Sequence, residues 1–473
     1  MDTEGHLYED KFQSGCKLAI GNHDDAALKT LLPLLLERPD DYRLYAVIGE
    51  VWLNKRGWKD AEKALSVACE LHPGDKILQV RLANAYTGSK KFNKAKLLLD
   101  KLRPLYIGTR DEPLWACAQA EFLAATGKYD ESEMLYGYCI QQVPNWYTPY
   151  GGLANLNCLL HRYDRALHCW QIRHKLYQSW RTEQDLSYGL AMCGRWDESI
   201  QYGLDSHRHK FGHNGYMGHV EWEGQACDTV LIGADGGLGD LIHFSRYLGS
   251  IPSKVLLYPQ ERHFEVARCI KYPTNVEVIE STKGLDKTIP ALWLMYVPHV
   301  LKRINPNYSP TPILADFGTI DIPHPAVALT WFGDINHAND NLRSTRLAQW
   351  AKMILRFPQI HWFTVSPHKK AAKDISSTRL PITQYATSLR DACRYLATAD
   401  AFVGVDTGHA HVTATMGKPT LCLLPNWVDA RWGPTGNRTP LYPSMWIYRQ
   451  WERESSKATI TEMADDLEIA LNL

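Results

Sequence analysis

Through the first 200 residues apolar positions follow helical spacing, and an aromatic residue returns at Trp58, Phe92, Tyr129, Tyr163 and Trp196, at intervals of 34, 37, 34 and 33 residues. Three residues after each stands a small side chain: Ala61, Ala95, Ser132, Ala166 and Ser199. The pattern predicts paired helices in which the aromatic opens the second helix and the small residue lets the two approach closely. Pro39, Pro73 and Pro144 fall near the ends of such helices, where a stop is expected.

Between Lys210 and Glu223 the helical period breaks, and four glycines have accumulated by Gly224, so a linker is expected there. His213 and His219 lie in it six residues apart, a spacing that fits no metal-ligand face, and read as solvated loop histidines. Beyond it the pattern changes to short β-rich runs alternating with helices, the mark of parallel α/β layers. One set predicts strands at 229–233, 254–258 and 276–279, with helices at 241–248 and 262–270. A second predicts strands at 326–332, 360–365, 401–405 and 420–424, with helices at 347–356, at 389–397 and after Asp406. Two such assemblies imply a cleft where the carboxyl ends of both sheets meet.

The helical repeat resembles the tetratricopeptide repeat, in five to six copies over roughly residues 10 to 210, with a weaker first copy near Asp24 to Asp40. That resemblance implies a superhelix whose concave groove holds a peptide or docks another subunit, self-association included. A purely structural spacer is the alternative.

Charge narrows the partners. The chain has 52 basic and 52 acidic residues, so no global field draws it to nucleic acid or an anionic membrane. A local basic patch needs no net charge, and Lys90, Lys91, Lys94, Lys96 and Lys101 form one candidate. The 11 cysteines never fall as C-x-x-C and read as reduced core thiols of a cytoplasmic protein. No cationic head precedes an apolar run at the N-terminus, and no apolar run reaches membrane-spanning length, so neither secretion nor membrane association is expected.

Candidate chemistry gathers at three turns. Val403 to Pro425 reads as strand, small-residue turn, short helix and strand; a strand ending in Asp406-Thr407-Gly408 before a helix aims backbone N–H groups and the helix dipole at one point, which suits a phosphate. His409 and His411 sit on the first helical turn, the former expected toward the cleft mouth, the latter also readable as a satisfied helix residue. At 235–240, DGGLGD places Gly237 and Gly239 in a strand-to-helix turn that is no G-x-G-x-x-G fingerprint. It leaves Asp240 either as a general base facing the cleft or as an N-terminal carboxylate favoured by the dipole. The third runs from Trp331 to Ser344; Arg343 could fork to phosphate oxygens, or the loop could merely cap the next helix through Ser344 or Thr345. No acid lies between Ile360 and Lys373, where a ribose-binding carboxylate often stands, and no carboxylate cluster points to a metal.

GLGD at 237–240, W-x-G at 331–333, N-D-x-x-R-S at 339–344, VDTGHAHVTATMGKP at 405–419, LLPNWVDARW at 423–432 and LYPSMWIYRQ at 441–450 occur in that order. Together these resemble the tetratricopeptide-repeat glycosyltransferases related to the ADP-heptose heptosyltransferases, glycosyltransferase family nine, over roughly residues 10 to 455. The resemblance implies an α/β GT-B fold, two Rossmann-like domains facing a cleft, preceded by an all-α repeat solenoid. It implies inverting, metal-independent sugar transfer from a nucleotide diphosphate sugar, with no cofactor beyond that donor. Asp240 would be the base and Arg343 a cation on the donor phosphates, while Asp406, Thr407 and Gly408 would grip the diphosphate and sugar hydroxyls. Gly237, Gly239, Trp331, Asn339, Ser344, His409 and His411 complete the expected donor-binding set. His409 replaces a small apolar residue of the relatives, so the donor need not be ADP-heptose.

The expected domains are residues 1–210 (repeats), 211–325 (acceptor side) and 326–473 (donor side). The repeats point to a macromolecular acceptor, most simply a protein. A hydroxymethylated DNA base, flipped into the cleft, is the second acceptor class. A non-enzymatic scaffold that keeps a nucleotide-binding half is the third reading.

Overall fold

The structure, a computed structural model, describes residues 3–211, 216–310, 315–334, 340–385, 388–425, 427–450 and 456–473. It divides into two compact units, Met1–Gly189 and Leu190–Leu473.

The first unit is a series of helical hairpins. Trp58, Phe92, Tyr129 and Tyr163 each begin a helix, and those helices pack on Tyr42–Asn54, Lys76–Gly88, Glu112–Ala125 and Tyr147–Leu159 respectively. Ala61, Ala95, Ser132 and Ala166 are wholly buried, because the fourth residue of each second helix meets its partner. Two residues before each opening aromatic the backbone turns through the left-handed region: Arg56 (φ 57°), Lys90 (φ 58°), Gly127 (φ 85°) and His161 (φ 56°). Asn22 (φ 59°) repeats this turn two residues before the helix Asp24–Leu31, which identifies the degenerate first copy. Three of these five positions carry side chains that disfavour the conformation by about 1–2 kcal/mol, so the packed helices on either side impose it.

The two ends of this array meet. The Asn22 Nδ2 donates to the Tyr177 hydroxyl (2.8 Å), which donates to the Ile20 carbonyl (2.9 Å). The Trp180 indole donates to the Asn22 carbonyl (3.1 Å), and Arg181 pairs with Asp24, whose side chain is only 6% exposed. The first helical pair is thereby latched to the start of the helix Trp180–Met192.

The boundary differs from the expected one after residue 210. The helix Trp196–Phe211 opens on the fifth aromatic but belongs to the second unit. Its His207 packs on Trp293 (4.9 Å between centroids) and Tyr296 (4.4 Å), and Arg208 pairs with Glu221 at 3.3 Å. The repeat register persists here, with Gly194 (φ 75°) two residues before Trp196 and Ser199 buried, but apolar and ionic contacts tie this helix to the sheet domain.

The second unit holds two parallel sheets. In the first, β1 (Thr229–Ala234), β2 (Lys254–Pro259), β3 (Val276–Val278) and β4 (Ala291–Trp293) lie in the order β3-β2-β1-β4. In the second, β5 (Ala326–Thr330), β6 (His361–Thr364), β7 (Ile382–Gln384), β8 (Ala401–Val405), β9 (Thr420–Leu424) and β10 (Met445–Arg449) lie in the order β10-β9-β8-β5-β6-β7. Strands β5, β8 and β9 are buried at every residue, as expected of parallel strands covered on both faces. The order reverses between β1 and β4 in one sheet and between β5 and β8 in the other, so each sheet has a switch point that opens a crevice. Residues 234–240 leave one switch point; 331–333 and 406–408 leave the other. The helix expected over 262–270 is instead a 3₁₀ turn, Glu261–His263, and one turn of helix, Phe264–Ala267.

Candidate active site

The two glycine turns come together at the start of two helices, Leu238–Ser245 after β1 and Gly408–Thr415 after β8. A methyl group on Gly239 would lie 2.8 Å from the His411 Cδ2, and one on Gly408 would lie 3.2 Å from the Gly239 amide nitrogen. Only hydrogen side chains at both positions let the helix starts touch. Their free N–H groups and positive dipole ends thus converge on one place, which favours an anion.

Asp240 sits in that first turn. Its Oδ2 accepts the Gly237 N–H (3.0 Å) and its Oδ1 accepts from the Arg431 Nη2 (2.9 Å). Burial by itself would raise this carboxyl, but the Arg431 charge and hydrogen bond, the Gly237 amide and His411 hold it below the usual aspartate value. The His263 imidazole, pushed down to about 4 chiefly by burial, lies within the field of Asp240. Asp240 is therefore ionised at neutral pH and able to accept a proton once an oxygen is free of its partner.

Around the second turn, the Asp406 Oδ2 accepts the Trp432 indole N–H (2.9 Å), and its Oδ1 lies 3.7 Å from the His411 Nε2. Burial opposes the charge, but His411, Arg431 and Trp432 together lower the Asp406 carboxyl. Thr407 stands in extended backbone (φ −146°, ψ 167°) as the residue before the helix, with its buried Oγ1 unpartnered among the described residues. Arg343 donates from Nη1 to the Asp406 carbonyl (3.2 Å) and pairs through Nε with Asp340 (3.3 Å), so it braces the turn.

Several expected donor-binding residues hold structure instead of facing the crevice. The Trp331 ring is fully buried in the core beside Trp350 and Trp362, with its indole N–H on Asp374 (2.9 Å). Ser344 accepts the Gly333 N–H (3.0 Å) and donates to Asp340 (2.7 Å), which orders the loop. His409 turns its Nδ1 to the Thr330 hydroxyl (3.1 Å) at the end of β5, not toward the cleft mouth, and burial lowers its imidazole to about 4. His411 is buried, bonds the Tyr442 hydroxyl (2.9 Å) and stacks on Trp432 (5.4 Å). Asn339 lies outside the described residues.

Arg431 is not among the residues the sequence marks for the site. It sits in the 3₁₀ turn Ala430–Trp432, capped by Asp429, and no spacing from the glycine turns marks it. The signal available was the D-x-R-W string itself, a cation flanked by an acid and an indole between two strands. Among the described residues no group of three or more His, Cys, Asp or Glu side chains converges to hold a metal ion.

No curated protein matches the chain. The helical part is similar to a tetratricopeptide repeat protein from Parabacteroides merdae ATCC 43184, 13% identical over 43% of this chain and 79% of that one, TM-score 0.35. It is also similar to yeast Tom70 (18%, 39% of each chain, TM-score 0.29) and Pseudomonas aeruginosa pilF (14%, 43% and 92%, TM-score 0.28). These likenesses are low, and the repeat assignment rests on the recurring helix starts and turns. Residues 369–458 match the model of glycosyltransferase family 9 (heptosyltransferase), a stretch that includes Asp406, Thr407, Gly408 and Arg431 but not Asp240. The chain thus carries a glycosyltransferase family 9 domain, preceded by a tetratricopeptide-like helical array, and is a glycosyltransferase.

Proposed function

We propose that this protein is an inverting, metal-independent glycosyltransferase that moves a sugar from a nucleotide diphosphate sugar to a hydroxyl of a macromolecular acceptor, most simply a protein. The observation that carries this reading is the close approach of Gly239 and Gly408, which puts Asp240 beside the N–H groups at the start of the helix Gly408–Thr415. In the reaction, Asp240 takes the proton of the acceptor hydroxyl. The acceptor oxygen bonds to the anomeric carbon from one face while the bond to the diphosphate oxygen breaks on the other, and the diphosphate leaves with the electron pair. The amides at 407–409 and the helix dipole stabilise that departing charge, so catalysis rests on positioning and electrostatics. In this reading these protein groups carry the leaving-group charge without a metal.

The lysine cluster gives little support to a DNA acceptor. Lys91 pairs with Glu62 (2.6 Å), Lys96 with Asp100 (2.6 Å), and Lys94 lies over the Tyr86 ring (5.4 Å). Three of the five lysines are thus engaged by neighbours within the helical array, which favours a polypeptide partner over a polyanion.

The test incubates the full chain with a panel of nucleotide sugars and peptide, lipid-oligosaccharide and hydroxymethylated DNA acceptors. Transfer to the peptide with inverted anomeric configuration is expected, and Asp240→Asn lowers it by about 10²–10⁴-fold with an unchanged melting curve. Retained configuration, or full transfer by Asp240→Asn, would overturn the mechanism; label on DNA alone would overturn the acceptor.

A further inference from the structure

We propose that Arg431 is a positioning residue that exchanges partners during the cycle, holding Asp240 before the donor arrives and moving to the donor's diphosphate when it binds, so that the base is released only with the donor in place. This rests on the glycosyltransfer reading above.

The geometry provides both halves of the exchange. In this structure both Asp240 oxygens are occupied, one by the Gly237 amide and one by Arg431. One lone pair on each oxygen is thereby engaged, and the Arg431 charge beside the carboxylate makes it a weaker proton acceptor than it would be without the arginine. The Arg431 Nη2 also reaches Asp429 (3.1 Å), and its guanidinium lies over the Phe244 ring (5.2 Å), one turn beyond Asp240 on the same helix. Its side chain is only 16% exposed, so it is held near the crevice rather than swinging in solvent. The next residue, Trp432, bonds the Asp406 carboxylate one residue before Thr407. The guanidinium is thus bonded to the base, while its chain neighbour Trp432 is bonded to the turn that precedes the anion-favouring helix start. The other titratable groups within its field are Asp406, His243, Tyr247 and Tyr442.

A diphosphate suits this cation better than the one oxygen that Asp240 offers it beside Asp429. It brings more charge and a set of oxygens matched to the planar fork of arginine, while a lysine offers only a point charge. On donor binding, Asp240 Oδ1 loses its ion pair and is left to accept the acceptor's proton. When the nucleoside diphosphate departs, Arg431 returns to Asp240. Only hydrogen bonds and ion pairs change in the exchange.

Competition between Asp240 and diphosphate for one guanidinium makes a measurable statement. Each of ADP, GDP, UDP and CDP is titrated calorimetrically into the full chain, and the tightest is carried into the variants. Asp240→Asn, which removes the competitor, is expected to bind it about tenfold tighter than the unaltered protein, equivalent to about 1.4 kcal/mol. Arg431→Gln should bind at least tenfold more weakly, Arg431→Lys should fall between, and the gain from Asp240→Asn should vanish in the Arg431→Gln background. A purely structural ion pair gives no tightening on loss of Asp240. Equal or weaker binding by Asp240→Asn, or a gain that survives Arg431→Gln, overturns the exchange, and Arg431→Lys serves the same cycle should the glutamine variant misfold. If Asp240→Asn keeps full transfer, the base assignment fails; if it is inactive without tighter binding, the exchange alone fails.

Discussion

Replacing Gly239 by alanine tests the contact on which the site depends. The added methyl would stand 2.8 Å from His411 Cδ2 and 3.5 Å from the Gly408 Cα. Carbon atoms pack at about 3.5–4.0 Å, so roughly 0.7–1.2 Å must be found between the two helices. His411 cannot yield it cheaply, because its ring is bonded to Tyr442 and stacked on Trp432. Gly239 does not occupy left-handed backbone, so alanine meets a steric demand and no conformational one. Overpacking of this kind costs about 1–3 kcal/mol, partly offset by the roughly 0.5–1 kcal/mol that alanine gains over glycine inside a helix. The net cost of about 0–2.5 kcal/mol should lower the melting temperature of the second unit by up to several degrees. Because Asp240 is the next residue, a displacement approaching 1 Å should cost about 10²-fold in turnover. The assay is a pair of measurements, calorimetric melting and transfer rate, against Gly137→Ala as the control. Gly137 lies in the helix Tyr129–Gln142 with nothing within 4 Å of an added Cβ, and should be neutral or slightly stabilised. A Gly239→Ala protein that melts and turns over like the unaltered chain would refute the juxtaposition of the two helix starts.

Two further outcomes follow from charge and burial. Acidification should act on the two units with opposite sign. In the second, burial lowers His207, His263, His299 and His409 from 6.5 to about 4, so the unfolded state binds protons first and stability is lost as pH falls from about 6.5 toward 4. In the first, burial raises Glu121 to about 7, so its contribution is complete below about 4.5 and lost as pH rises through 7. Calorimetry at pH 7 and pH 5 should show one transition falling and the other rising or holding, with Glu121→Gln removing the second trend; two transitions that move together contradict the assignment. Arg181→Ala strands the buried Asp24 carboxylate and unlatches the ends of the helical array. Breaking a buried pair costs about 3–5 kcal/mol, and the lower end is expected because Arg181 is 26% exposed. Urea denaturation reads the loss, and Asp24→Asn in the same chain should recover part of it.

The sequence by itself determined whatever repeats or alternates locally. Aromatic and small residues at fixed spacing marked the helix starts at 58, 92, 129 and 163, because an amphipathic helix must bury one stripe wherever it packs. The uninterrupted apolar runs of β1, β5, β8 and β9 read correctly as buried parallel strands. The three-residue strands β4 and β7 and the edge strand β10 were not legible; a run of three residues is too short to show a period. Turn chemistry marked Asp240 and the Asp406 turn as candidates, because glycine beside a helix start has a local meaning. Which side chains face the crevice was decided only in three dimensions. Trp331 and Ser344 share their motif with Arg343, yet packing sends the indole into the core and ties the serine to its own loop. Arg431 is 191 residues from the carboxylate it binds, and the latch between Asp24 and Arg181 spans 157. No local pattern encodes such pairs: their formation depends on how sheets and hairpins stack, and the burial that makes them matter exists only after they do.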